Sequence, residues 1–132
     1  MSQLYAIAVG GAAGALGRFG VSAAVQRITD TVFPLGTMAV NITGAFLIGF
    51  LSVLFGRAVV SPEMRSGVLV GFLGSFTTFS TYMFESVRLL QDGEYGPAAA
   101  NLIVGNVAGV ASVVAGMITA RILVECLHGG LQ

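Results

Sequence analysis

From Gly71 to Tyr82 the chain reads Gly71-Phe72-Leu73-Gly74-Ser75-Phe76-Thr77-Thr78-Phe79-Ser80-Thr81-Tyr82. Five Ser or Thr hydroxyls fall within the last eight of these residues, interleaved with aromatic rings. Hydroxyls can donate hydrogen bonds, and aromatic rings carry a positive edge, so this mixture suits a small anion stripped of its water. Ser and Thr side chains also compete for backbone hydrogen bonds, and Gly weakens a helix interior, which predicts a broken helix here. Inside a bilayer, irregular backbone survives only where protein buries it or where it lines a polar cavity. The run therefore reads as part of an ion pathway. The alternative is that the hydroxyls bond back to their own helix and the Phe rings face lipid.

Other polar side chains lie in apolar surroundings: Arg18, Asn41, Thr43, Asn101, Asn106 and Ser112. Burial in a membrane is costly for such groups, which makes each a functional candidate. Arg18 either snorkels to the interface or supplies fixed positive charge to an anion vestibule. Asn41 either lines the pore as an amide donor or hydrogen-bonds across helices. Glu85 and Arg88 stand three apart on one helix, a spacing that predicts an interfacial pair. No acid occurs in the first, second or fourth apolar segment, which argues against a proton-coupled pump. The one histidine, His128, lies near the C-terminus and outside the membrane. No nucleophile–base pair suggests an enzyme. Cys126 alone closes no intramolecular disulfide, and with His128 it is too small a ligand set for a metal. A broken helix adds N–H groups that can face an anion and carbonyls that can hold a small cation.

The elements that must position these residues are membrane spans. The chain has 132 residues, 55% hydrophobic and 9% charged, against about 25% charged in soluble domains. Its mean hydropathy is +0.90. Zero net charge argues against a nucleic-acid partner held through phosphates. Four segments, about 4–25, 35–55, 67–89 and 97–124, are each long enough to cross a bilayer. The N-terminus has no positive region and reads as the start of the first span. Ser61 before Pro62 and Glu63 predicts a capped helix start. The whole chain, 1–132, reads as one all-α integral membrane domain with a broken third helix. Small residues four apart (Gly10 and Gly14, Gly67 and Gly71, Gly105 and Gly109) let helix backbones approach, within the chain or across a dimer. With four spans, Arg57, Arg65 and Arg121 fall toward one side and Arg27 and Arg88 toward the other, three against two, or three against three with Arg18 counted. The positive-inside rule gives no orientation, so two opposed copies forming an antiparallel dimer is the hypothesis.

Taken together these residues resemble the Fluc/CrcB family of fluoride channels. The resemblance rests on Gly10-Gly11-Ala12-Ala13-Gly14-Ala15-Leu16-Gly17-Arg18-Phe19, on Gly36-Thr37-Met38-Ala39-Val40-Asn41-Ile42-Thr43-Gly44-Ala45-Phe46, and on the Gly71–Tyr82 run. It implies a dual-topology antiparallel homodimer in the bacterial inner membrane, through which fluoride leaves the cell passively. It further implies a structural Na+ at the dimer centre, held by the backbone carbonyls of Gly74 and Thr77. Asn41 would be the pore amide donor, and Phe79 with Tyr82 the pair of rings whose edges contact fluoride. Ser80 and Thr81 would lie in the hydroxyl lining, and Arg18 near the vestibule. A tightly hydrated ion such as fluoride needs close donors in place of its water.

The chain departs from the family pattern at three places. Tyr82 stands where Phe is usual, and its hydroxyl either adds a hydrogen bond or alters the path. Aligned on Gly109 and Gly116, Asn101 replaces a usual Tyr and Gly105 a usual Ser, leaving Asn101 or Asn106 to supply the polar track of the fourth helix. Two rival readings are a small proton-coupled multidrug exporter, which needs a carboxylate in the first helix, and a non-transporting structural subunit.

Overall fold

The computed structural model describes residues 1–129. The described residues form six α-helices and one π-helical segment, with no strand among them. Helix α1 spans Ser2–Thr29 and α2 spans Leu35–Arg57. Next come the short α3 (Pro62–Arg65), a π-helical segment (Ser66–Leu73) and the short α4 (Gly74–Phe76). After two extended residues, α5 (Phe79–Gln91) continues the same rod, and α6 (Tyr95–Gly129) closes the chain. Four rods, Ser2–Thr29, Leu35–Arg57, Pro62–Gln91 and Tyr95–Leu127, are long and apolar enough to cross a membrane. At roughly 1.5 Å of rise per residue, each exceeds the ~30 Å hydrocarbon layer.

Local chemistry sets the helix ends. Asp30 adopts left-handed backbone (φ 40°) and stops α1. The Gln26 side chain then ties down the turn: its Nε2 donates to the Thr31 carbonyl at 2.6 Å, and its Oε1 accepts from the Gly36 N–H at 3.3 Å. Ser61 caps α3, its Oγ accepting from the Met64 N–H at 3.2 Å with Pro62 at the first helical position. After α5 the chain reverses in a Schellman turn: the Glu94 N–H donates to Leu89 at 2.8 Å and the Gly93 N–H to Leu90 at 3.2 Å. Gly93 carries the left-handed φ of 78° that this turn requires. Helix α6 starts earlier than the Gly96-Pro97 punctuation suggests, because proline is tolerated in a first turn, where no N–H partner is needed.

In packing, α2 lies along α6 and α1 along the π-helical segment. The second contact is backbone on backbone. A Cβ on Gly10 would run into the Gly67 carbonyl, and one on Gly14 into the carbonyl of Phe72. With Gly71 set against the Ile7 carbonyl in the same way, Gly10, Gly14, Gly67 and Gly71 all serve packing inside one chain. The small core includes Val40, Leu73, Phe76, Tyr82 and Leu89, while Phe19, Val107 and Val110 stand exposed on the outer faces. Large apolar side chains on the outer faces, with Thr37, Thr78, Ser86 and Asn101 buried among the core residues, fit a protein solvated by lipid.

Candidate functional site

The site is built on the break between α4 and α5. Thr77 and Thr78 are extended (ψ 158° and 116°), so the helical ladder cannot cross them. An unbroken helix would send the Thr78 N–H to the Gly74 carbonyl and the Thr81 N–H to the Thr77 carbonyl. Here both donors are diverted to side chains. The Thr78 N–H goes to Asn41 Oδ1 at 2.8 Å, and the Thr81 N–H to Thr78 Oγ1 at 3.3 Å. Gly74 and Thr77, the two residues assigned by resemblance to a cation, thus lose their helical donors. Backbone carbonyls freed in this way suit a small hard cation. The break also retains some local bonding, since Thr77 Oγ1 donates back to the Leu73 carbonyl at 3.1 Å.

Two rungs join α2 to α5. Asn41 Nδ2 donates to the Thr78 carbonyl at 3.0 Å, so one carboxamide satisfies both main-chain groups of that residue. One turn earlier on the same face of α2, Thr37 Oγ1 donates to Glu85 Oε1 at 2.8 Å. This corrects the expected Glu85–Arg88 pair. Glu85 turns inward, its Oε2 buried without a partner among the described residues, and the Arg88 guanidinium lies 5.9 Å from the Phe84 ring centroid instead. Spacing along one helix permitted the ion pair, but the inward side of α5 faces α2.

Asn41, Gly74, Thr77, Phe79 and Tyr82 come together around a cavity of about 350 Å³. The Phe79 and Tyr82 rings lie 6.3 Å apart at 58°, with Phe79 largely exposed on the single chain and Tyr82 buried. A second cavity of about 330 Å³ holds Arg18 and Thr81. Thr78 lines both cavities, so the residue gripped by Asn41 is the wall between them. Ser80 is exposed and lines neither.

The fourth-helix residues form a connected network. The Tyr82 hydroxyl lies 3.0 Å from the carbonyls of both Asn101 and Leu102, and it accepts from Asn106 Nδ2 at 2.9 Å. Asn101 is 1% exposed; its Nδ2 donates to Ser86 Oγ at 2.9 Å, and Ser86 donates on to the Tyr82 carbonyl at 2.8 Å. Thr78, Thr37 and Ser86 are the participants that sequence reasoning did not single out. A signal existed for Thr78: a Thr three residues before Thr81, at the start of an amphipathic run, has helix-cap spacing. None existed for Ser86. The side chain of His128 lies outside the described residues.

The chain is similar to known proteins over most of its length. The family model for "CrcB-like protein, Camphor Resistance (CrcB)" matches residues 5–117. The chain is 44% identical over 126 residues to the fluoride-specific ion channel FluC of Maridesulfovibrio salexigens, covering 95% of this chain and 100% of that one. It is 40% identical over 122 residues to the FluC of Geobacter sulfurreducens, covering 92% and 98%. Against the FluC of Citrifermentans bemidjiense it is 44% identical over 124 residues, covering 93% and 100%. With four membrane-length helices, a family match over most of its length and relatives matched end to end, this multi-pass membrane protein belongs to the CrcB-like family.

Proposed function

We propose that the chain is a fluoride-selective passive channel, through which fluoride leaves the cytoplasm down its gradient. The observation that carries this reading is the cavity at the helix break, lined by Phe79, Tyr82 and Asn41, whose carboxamide holds both main-chain groups of Thr78. Ring edges, amide hydrogens and hydroxyls are donors to an anion. No Asp, Glu or His lines this cavity among the described residues, so nothing there carries protons for coupled transport. The names of the relatives agree with this reading. Arg18 and Thr81 in the adjoining cavity would draw the anion in from water. The relatives are named as ion channels, which supports reading the chain as a channel and not an enzyme.

The working unit is proposed to be an antiparallel homodimer in the bacterial inner membrane. The lack of a clear arginine bias between the two sides supports dual insertion. Phe79 and Gly74 stand uncovered beside the break on one chain, where a second copy would enclose them. The carbonyls of Gly74 and Thr77 would hold a structural Na+, which would add fixed positive charge at the dimer centre.

The test is fluoride efflux from liposomes containing the purified protein, read with a fluoride electrode, with chloride as the control. Fast fluoride release with little chloride release is expected. Correctly inserted dimers that release neither ion would overturn the channel reading and favour a structural subunit.

A further inference from the structure

Tyr82 places a hydroxyl at the edge of the cavity assigned to the anion, and such a group invites the reading that it donates to the anion. Its hydrogen is already committed. A phenol has one hydrogen to give. The carbonyls of Asn101 and Leu102, each 3.0 Å from the Tyr82 oxygen, are its acceptors. The oxygen accepts in turn from Asn106 Nδ2 at 2.9 Å, and the same nitrogen also donates to the Leu102 carbonyl at 2.6 Å. Neither Tyr82 Oη nor Asn106 Nδ2 keeps a hydrogen for an ion. The phenol packs directly against α6 at Gly105. A Cβ there would stand 2.9 Å from Tyr82 Oη and Cε2, and 3.1 Å from Cζ. Packed carbon atoms sit at about 3.5–4.0 Å.

We propose that Gly105 and Asn106 are positioning residues for fluoride passage: they lock the phenol of Tyr82 against α6, so its ring presents a fixed edge to the cavity while its hydroxyl binds no anion. The physical reason is the ring's quadrupole. An aromatic edge is positive and its face negative, so a ring free to swing would offer an anion repulsion as often as attraction. The departures at 82 and 105 are then one feature: the added hydroxyl occupies the space the missing side chain leaves. This inference rests on the channel reading above.

Five variants decide it, each reconstituted and assayed beside the wild type: Asn106→Ala, Tyr82→Phe, Tyr82→Phe/Asn106→Ala, Gly105→Ala and Tyr82→Phe/Gly105→Ala. Gly105→Ala is expected to cut fluoride efflux at least tenfold. In the Tyr82→Phe background, where the ring is free to give way, the same change should cost less than threefold. Asn106→Ala should lower the fluoride-to-chloride ratio at least fivefold, and in the Tyr82→Phe background, where the hydroxyl that Asn106 holds is already gone, it should lower the ratio no further. Equal losses from Gly105→Ala in both backgrounds, or an unchanged ratio in Asn106→Ala, would overturn the proposal. If Gly105→Ala yields no folded protein, recovery in the Tyr82→Phe background supports the lock and failure to recover overturns it. A wild type that passes no fluoride sinks the channel reading separately. The lock is then decided by Tm in detergent: overlapping losses from Tyr82→Phe and Asn106→Ala support it, and additive losses overturn it.

Discussion

Asn41 holds both main-chain polar groups of Thr78, accepting from its N–H at 2.8 Å and donating to its carbonyl at 3.0 Å. A helix broken inside a membrane must find partners for the groups its ladder abandons, at several kcal/mol for each one left bare. One carboxamide, 37 residues earlier in the chain, provides two of them. Asn41 Nδ2 has a second hydrogen, so an amide that secures the break can also donate to an anion passing Thr78.

Replacing Asn41 with Ala should therefore do two things. Fluoride efflux is expected to fall at least tenfold. Tm should also fall, because Thr78 is left with an unpaired N–H and carbonyl at about 1–3 kcal/mol each. Efflux and detergent unfolding on the same preparation test this. Unchanged efflux with a lowered Tm would make Asn41 a structural clamp only.

Phe79 is 72% exposed on the single chain and carries little of its packing. Phe79→Ile keeps apolar bulk and deletes the ring edge. Stability should shift by no more than about 0.5 kcal/mol, as for surface substitutions generally, while fluoride efflux drops at least tenfold. Loss of the folded protein instead would assign the ring to assembly.

Two glycines should respond in opposite ways. Gly10→Ala drives a Cβ into the Gly67 carbonyl, an overpacking expected to cost about 1–3 kcal/mol. Gly74→Ala meets nothing within 4 Å on its own chain, so in dilute protein, where the chain is alone, the helical Gly-to-Ala change favours folding by about 0.5–1 kcal/mol. Tm measured on dilute and concentrated protein tests both. A concentration-dependent loss in Gly74→Ala would place a second subunit against the break.

Dual insertion has a built-in reporter, since Cys126 is the one cysteine of the chain and is exposed. A membrane-impermeant maleimide added outside sealed vesicles should label about half of the thiols, and membrane permeabilisation should expose the remainder. Labelling of all or none from outside would mean a single orientation and would exclude an antiparallel dimer.

The four spans and the helix break were legible in the sequence because their causes are local. Hydropathy over about 20 residues decides membrane insertion, and the Gly, Ser and Thr between Gly71 and Thr81 weaken a helix wherever they occur. The capped start at Ser61 was legible for the same reason. What the broken backbone bonds to was not, because the partners come from elsewhere in the chain. Asn41 and Thr37 meet α5 only through the packing of α2, and that packing turns Glu85 inward to Thr37 and away from the arginine three residues on. Tyr82 and Gly105 stood out in the sequence as two unrelated departures. Only the approach of α5 to α6 makes them one, because a hydroxyl added on one helix needs the space that a missing side chain leaves on the other.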